Sequence, residues 1–187
     1  MIRGDNRGAA KRQVFVDESL TSALTLVAVS FPSDAVVETR RRVRQLLLPQ
    51  QTHLHFTREG NGRRRLIIKA MMELDLACVV YEYAGRESMR AARGRCLEAL
   101  VDDLADSACE RLVIESDESL RGSDRRTLYA AVRDAKIEHS LAYVHVSKRG
   151  EPLLWVADAL AWCWTHRSWR SELNGPEIVV RRVADRP

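Results

Sequence analysis

Three acids in this 187-residue chain stand where they could hold a hard metal ion. Asp17 closes the β-branched and aromatic run Gln13-Val14-Phe15-Val16. Glu115 closes Leu112-Val113-Ile114. Asp158 is the only charged residue in the stretch from Leu153 to Trp164. That stretch has helical length and no polar face, so it reads as a buried helix. The residues three and four places away from Asp158 are Leu154, Trp155, Ala161 and Trp162, none of which can neutralise it. An Asp is almost never fully buried without a partner. The fold must bring it a cation or donors from elsewhere, or leave it facing a cleft.

If the three acids converge, their repulsion demands compensation, by raised pKa values or by divalent cations. Hard carboxylate oxygens suit Mg²⁺ or Mn²⁺, and no His/Cys spacing of zinc type occurs. Two such ions about 4 Å apart can activate a water and stabilise the leaving oxygen of a phosphodiester, with Asp17 bridging both and Glu115 and Asp158 each holding one. Acids at strand ends also serve as helix caps or solvated turn residues, so both readings stay open. Glu18 and Asp117 are further candidate ligands. Glu18 should point to the sheet face opposite Asp17, and Asp117 competes with Glu115 as the central acid.

Candidate substrate contacts are His55, the run Arg63-Arg64-Arg65 after Gly60-Asn61-Gly62, and Arg125, with Arg121 and Arg126 beside it. A glycine- and arginine-rich loop could grip a phosphate backbone. Arg40, Arg41, Arg42 and Arg44 cover more than one side of their helix and read as solvated. His145 alternates with Tyr143 and Ser147 on one face of a strand, and His166 suits a helix C-terminus. Trp155, Trp162, Trp164 and Trp169 read as core or interface; an exposed patch of Trp162 and Trp169 would support a homodimer.

The elements that position these residues follow from pattern. Strands are expected at 13–17 and 24–31, joined as an antiparallel hairpin through residues 18–22. A helix capped by Ser33 should run to about Leu48, stopped by Pro49. Leu54-His55-Phe56 is an extended piece, 57–65 a loop and 66–75 a helix. Then come a strand at 77–83, a long amphipathic helix at 88–110, and a strand at 112–115. A helix capped near Ser123 spans 124–136. A strand follows at 141–147, the apolar helix at 153–169 and an edge strand at 177–183. A hairpin followed by this alternation is an α/β layered domain. Residues 1–12 are expected to form a disordered tail.

Composition bounds the partners. The chain carries 30 basic and 26 acidic side chains, a net charge of +4 that by itself requires no nucleic acid. Arg outnumbers Lys 26 to 4; Arg suits bidentate phosphate contacts, though genome composition explains the same bias. The four cysteines form no C-x-x-C pair, as expected of reduced thiols in a cytoplasmic protein. No secretory leader and no apolar run long enough to span a bilayer appears, so no membrane partner is expected.

Phe15-Val16-Asp17-Glu18-Ser19, Leu54-His55-Phe56 and Val156-Ala157-Asp158-Ala159-Leu160-Ala161 resemble motifs of the domain-of-unknown-function family numbered 3800. The element order is similar to the ribonuclease-H-like fold of the retroviral integrase and resolvase superfamily. The resemblance covers roughly residues 13–170. It implies a mixed sheet, a three-strand antiparallel meander plus parallel strands, flanked by helices. A single domain would span 13–184, with 33–75 inserted between the second and third strands. It implies a metal-dependent nuclease site on Asp17, Glu115 and Asp158 and a DNA or RNA substrate. Leu20 stands where the family usually has Gly, and Glu115 where it often has Asp. A Glu after the fourth core strand is more similar to the Holliday-junction resolvase branch than to ribonuclease H. The competing expectations are a non-catalytic module binding nucleic acid or protein, and a nucleotide-dependent phosphotransferase. The last lacks the glycine-rich phosphate turn its chemistry needs.

Overall fold

The computed structural model describes residues 10–21 and 23–185. The expected N-terminal tail falls mostly outside these residues, with Arg12 already in the first strand. Six strands form one sheet in the order β5-β4-β1-β2-β3-β6. β1 (Arg12–Leu20), β2 (Leu24–Pro32) and β3 (Ala77–Tyr83) make the antiparallel meander. β4 (Cys109–Glu115), β5 (Ala142–Val146) and β6 (Ile178–Val183) join in parallel, β4 on β1, β5 on β4 and β6 on β3. The fold is therefore the expected mixed α/β sheet flanked by helices.

The interior strands are buried on both faces, which explains near-continuous apolar runs such as Leu24 to Val29. On one face lie α1 (Val36–Arg44), α2 (Asn61–Met72) and α5 (Pro152–Thr165), packed around Phe15, Val27, Val29 and Val113. On the other lie α3 (Met89–Ala105) and α4 (Glu118–Asp134), packed around Val14, Val16, Leu112 and Ile114. The period-two alternation of β1 and β4 thus sends Asp17 and Glu115 toward α5, and sends Glu18 the other way.

Several boundaries differ from expectation, each for a local reason. β1 does not end at Asp17: pairing with β2 continues to Leu20 opposite Leu24, so most of the expected turn at 18–22 is strand. Ser33 does not cap α1. Its N–H instead bonds the Lys11 carbonyl at 2.8 Å, lengthening the β1–β2 ladder, and Ala35 begins the helix without a side-chain cap. α1 ends at Arg44, short of Pro49. Phe56 opens a single 3-10 turn rather than closing an extended piece. The supposed loop 57–65 is half helix: α2 starts at Asn61, its first turn closed by the Arg64 N–H on the Gly60 carbonyl at 2.9 Å. α4 starts at Glu118, because the Asp117 carboxylate accepts from the Ser119 N–H at 2.8 Å. Ser123 lies inside that helix, donating to the Leu120 carbonyl. Ser88 does cap α3, whose first residue, Met89, is exposed. α3 stops at Ala105, so β4 begins earlier than its most apolar stretch suggested. α5 ends at Thr165, and a 3-10 segment carries the chain through Trp169.

The four cysteines are buried and free of disulfides. Among the described residues no helix is long and apolar enough to cross a membrane. Trp155 and Trp169 are buried, and Trp162 is half-buried between Phe56, His166 and Trp169. The exposed Trp162–Trp169 patch expected of a homodimer face is not there.

Candidate active site

Asp17, just past the last residue of β1 paired with β4, the carboxyl end of β4 and the middle of α5 meet at one point, and Lys148 stands on it. Its Nζ lies 2.8 Å from Asp17 Oδ2, 2.9 Å from Glu115 Oε2 and 3.2 Å from Asp158 Oδ1. The cation that the apolar helix needed for Asp158 is this ammonium, which donates a hydrogen bond to Asp158 Oδ1. The turn after β5 delivers it. Trp155 of α5 donates its indole N–H to the Lys148 carbonyl at 2.6 Å, tying that turn to the helix bearing Asp158. Glu151 caps α5 through the Leu153 N–H and is gripped bidentately by Arg40 of α1.

Asp17 is only 3% exposed. Its Oδ1 accepts the Glu18 N–H at 2.9 Å; Oδ2 pairs with Lys148 but accepts no hydrogen bond of good angle. Burial holds the Asp17 carboxyl well above the usual carboxylate range; Lys148 opposes this, while Asp158 and Glu115 add to it. Burial acts to lower the Lys148 pKa, but Asp17 and Asp158 more than reverse this and leave it raised. Asp17, Glu115 and Lys148 line a 540 Å³ pocket with Glu18, Arg93 and Asp117 among others, and Asp158 is partly exposed behind Lys148.

On the opposite face of the sheet lies a second charged group that pattern reading did not connect. Arg93 of α3 makes three hydrogen bonds of 3.0–3.2 Å to the Asp124 carboxylate of α4 and an ion pair with Glu18. His145 of β5 meets Asp124 Oδ2 at 3.3 Å. Burial acts to raise the Asp124 pKa, yet His145 and Arg93 together leave it lowered. Glu18, expected as a spare metal ligand, is thus Arg93's partner on the far face. Asp117, the other spare, is the α4 cap, its pKa lowered by the Ser119 hydroxyl and N–H. It lines the pocket, but Glu115 is the acid that reaches Lys148.

The arginine run does not grip from a loop. Arg63 donates to the Leu46 carbonyl, Arg64 to the Phe56 and Thr57 carbonyls, and Arg65 pairs with Glu172 at 3.2 Å. Arg64 also lies 4.4 Å over the Trp162 ring. These side chains brace α2 against its neighbours. His55 is half-buried, its ring 4.0 Å from that of His53. Burial and the neighbouring charges of His55, Arg149, Arg58 and Lys148 lower the His53 pKa. Arg125 is exposed and lines a separate 390 Å³ cleft with Gly122, Arg126, Tyr129 and Tyr143.

Lys148 had a readable signal. It is one of four lysines in an arginine-rich chain and sits just past a strand, at the sheet edge where Asp17 and Glu115 also end. The Arg93–Asp124–His145 group had none, since its members are 31 and 21 residues apart.

Sheet order, strand senses and the acids at the carboxyl edge define a ribonuclease-H-like fold. Among solved structures the chain is similar to the RNase HII component of the PCNA–RNase HII complex from Archaeoglobus fulgidus. The TM-score is 0.55 and the identity 12%, over 85% of this chain and 74% of that one. No protein-family model matches the chain, and no curated protein does.

Proposed function

We propose that this protein is a divalent-metal-dependent nuclease that hydrolyses phosphodiester bonds. Asp17, Glu115 and Asp158 would hold Mg²⁺ or Mn²⁺, and the substrate class is nucleic acid. Membership of the family numbered 3800 belongs to this proposal and rests on its three short motifs. The carrying observation is that carboxylates from β1, β4 and α5 meet one nitrogen, two of them lining the same pocket as that lysine. The donor set fits a hard dication: all three groups offer oxygen, and Asp17 Oδ2 is buried without a hydrogen bond. A bound dication would supply an activated water and stabilise charge on the leaving oxygen.

The protein's own residues would do the rest. The Glu18 N–H fixes the Asp17 carboxylate. Arg93, anchored on Asp124, fixes Glu18 in turn and lines the pocket. Arg149, next to Lys148 in the turn after β5, adds positive charge beside the acids, where a phosphate backbone would enter.

A specific observation favours a second reading, a non-catalytic module. Lys148 already neutralises Asp158, and no three Asp, Glu, His or Cys side chains among the described residues are arranged about a metal position. One assay separates the two. End-labelled single- and double-stranded DNA, RNA, RNA–DNA hybrid and a four-way junction are incubated with Mn²⁺ or Mg²⁺. The nuclease reading expects cleavage of at least one substrate, abolished by EDTA and reduced at least ~100-fold in Asp17→Asn and Asp158→Asn. No cleavage of any substrate, or undiminished cleavage by Asp17→Asn, would overturn it.

A further inference from the structure

The ammonium of Lys148 lies within 3.2 Å of all three acids, through contacts that span β1, β4 and α5. A Mg²⁺ ion binds carboxylate oxygens at about 2.0–2.1 Å. An ammonium and a dication cannot both centre on the same three oxygens. We propose that Lys148 is a tethered counter-cation that occupies the acid pocket in the metal-free protein and must swing out when a dication enters. This rests on the metal-site reading above and adds an exchange step to it.

Three features of the chain support the exchange. The first is residue choice. With 26 arginines and 4 lysines, the chain nevertheless places a lysine here. Only a compact ammonium presents one nitrogen to three carboxylates, whereas a guanidinium spreads its donors over a planar fork. The second is incomplete closure. Of the three contacts only that to Asp158 is a hydrogen bond of good geometry, and the buried Asp17 Oδ2 accepts none. The ammonium offsets one charge of the pocket and leaves it short of donors. The third is the anchoring. The Lys148 carbonyl is fixed by Trp155, and the following turn is fixed by the Gly150 N–H on the Ser147 carbonyl at 3.0 Å. The backbone stays put while the four-carbon stem pivots. Lys148 and Glu115 both line the open pocket, so the ammonium can swing into it with no movement of the sheet. The same lining includes Ser116, Asp117 and Glu118, which offer a displaced ammonium polar company.

Mn²⁺ binding measured by the loss of the free-ion EPR signal tests the exchange without reference to cleavage. The full chain is compared with Lys148→Met, Lys148→Gln and Asp17→Asn. Removing the competing charge should tighten Mn²⁺ binding at least about tenfold in both Lys148 variants. Asp17→Asn should weaken it. Thermal melts supply the second readout: in EDTA both Lys148 variants should melt below the wild type, and Mn²⁺ should raise their Tm by more than it raises the wild-type Tm. Lys148→Gln covers the case in which the apolar substitution fails to fold. Equal or weaker Mn²⁺ binding by the Lys148 variants, with Asp17→Asn still losing it, overturns the exchange and leaves the metal site standing. No Mn²⁺ binding by any of the four proteins overturns both.

Discussion

Asp17→Asn should make the metal-free protein more stable at neutral pH, although it removes an ion pair. The Asp17–Lys148 contact at 2.8 Å is an attraction of about 6 kcal/mol at an effective dielectric of 20. Taken alone, that figure predicts severe loss. Three opposing effects outweigh it: burial of a carboxylate that is 3% exposed, and repulsion from Asp158 and Glu115. The balance leaves the Asp17 pKa raised, so the ionised form is held against its preference. An asparagine keeps the acceptor for the Glu18 N–H and carries no charge, while Lys148 keeps Glu115 and Asp158. By linkage, each pH unit by which the folded pKa stands above the unfolded one favours the neutral side chain by about 1.4 kcal/mol at neutral pH. For a chain of this size each such unit is a Tm increase of about 3–6 °C.

The pH dependence sharpens the test. A carboxyl whose pKa is raised by folding contributes stability below its unfolded pKa of about 3.9 and loses it as pH rises through the folded pKa. The advantage of Asp17→Asn should therefore be near zero at the acid end and grow as pH rises toward the folded pKa. Differential scanning fluorimetry in EDTA across pH 4–8, backed by urea melts, reads it directly. Saturating Mn²⁺ should reverse the order, because only the wild type gains a full ligand set. A variant less stable than wild type at pH 7 in EDTA would refute the reasoning, since the attraction of Lys148 for Asp17 would then outweigh burial and repulsion.

Three further outcomes follow from the packing. Arg93→Met strands Asp124 in the interior with His145 alone and should cost about 3–5 kcal/mol in urea unfolding at pH 7. Asp124 has a lowered pKa, so its share of stability is present above the unfolded value near 3.9 and lost as pH falls through the folded one; the variant should show less of that acid-side loss. Leu160→Ala empties a 1%-exposed site on α5 and should cost about 2–5 kcal/mol while leaving the Mn²⁺ affinity of the folded protein unchanged. Trp155→Phe removes the 2.6 Å bond to the Lys148 carbonyl and should cost about 1 kcal/mol by the same urea measurement.

The parts legible in the sequence were those that local chemistry alone determines. The β-branched run from Leu24 reads as a strand and is one, and the alternation around Asp17 sends Glu18 to the far side, where it meets Arg93. Boundaries slipped where a polar residue had two uses. Ser33 looked like a cap, but its N–H extends a ladder; Asp117 looked like a spare ligand, but its carboxylate starts a helix. The arginines at 63–65 were misplaced because Gly60 and Gly62 suggested a loop, whereas an N-cap and first turn tolerate glycine. The Arg93–Asp124–His145 group depends on how two helices face one strand, which periodicity does not encode.

The Asp158 problem shows how an unmet requirement locates a residue that no motif marks. A lone acid on an apolar helix sets a condition on the rest of the fold: some cation or donor must arrive from another element. Asp17 and Glu115 end at the carboxyl edge of the sheet, so the partner had to come from that edge. The turn after β5 is the next segment there, and its lysine meets all three acids. The same geometry explains why the arrangement is poised rather than settled. One ammonium among three carboxylates balances at most one charge, and it leaves a buried Asp17 oxygen without a hydrogen bond. A pocket designed only for stability would be better served by apolar side chains. Retaining three acids and one flexible cation favours a site built to exchange that cation for a stronger one.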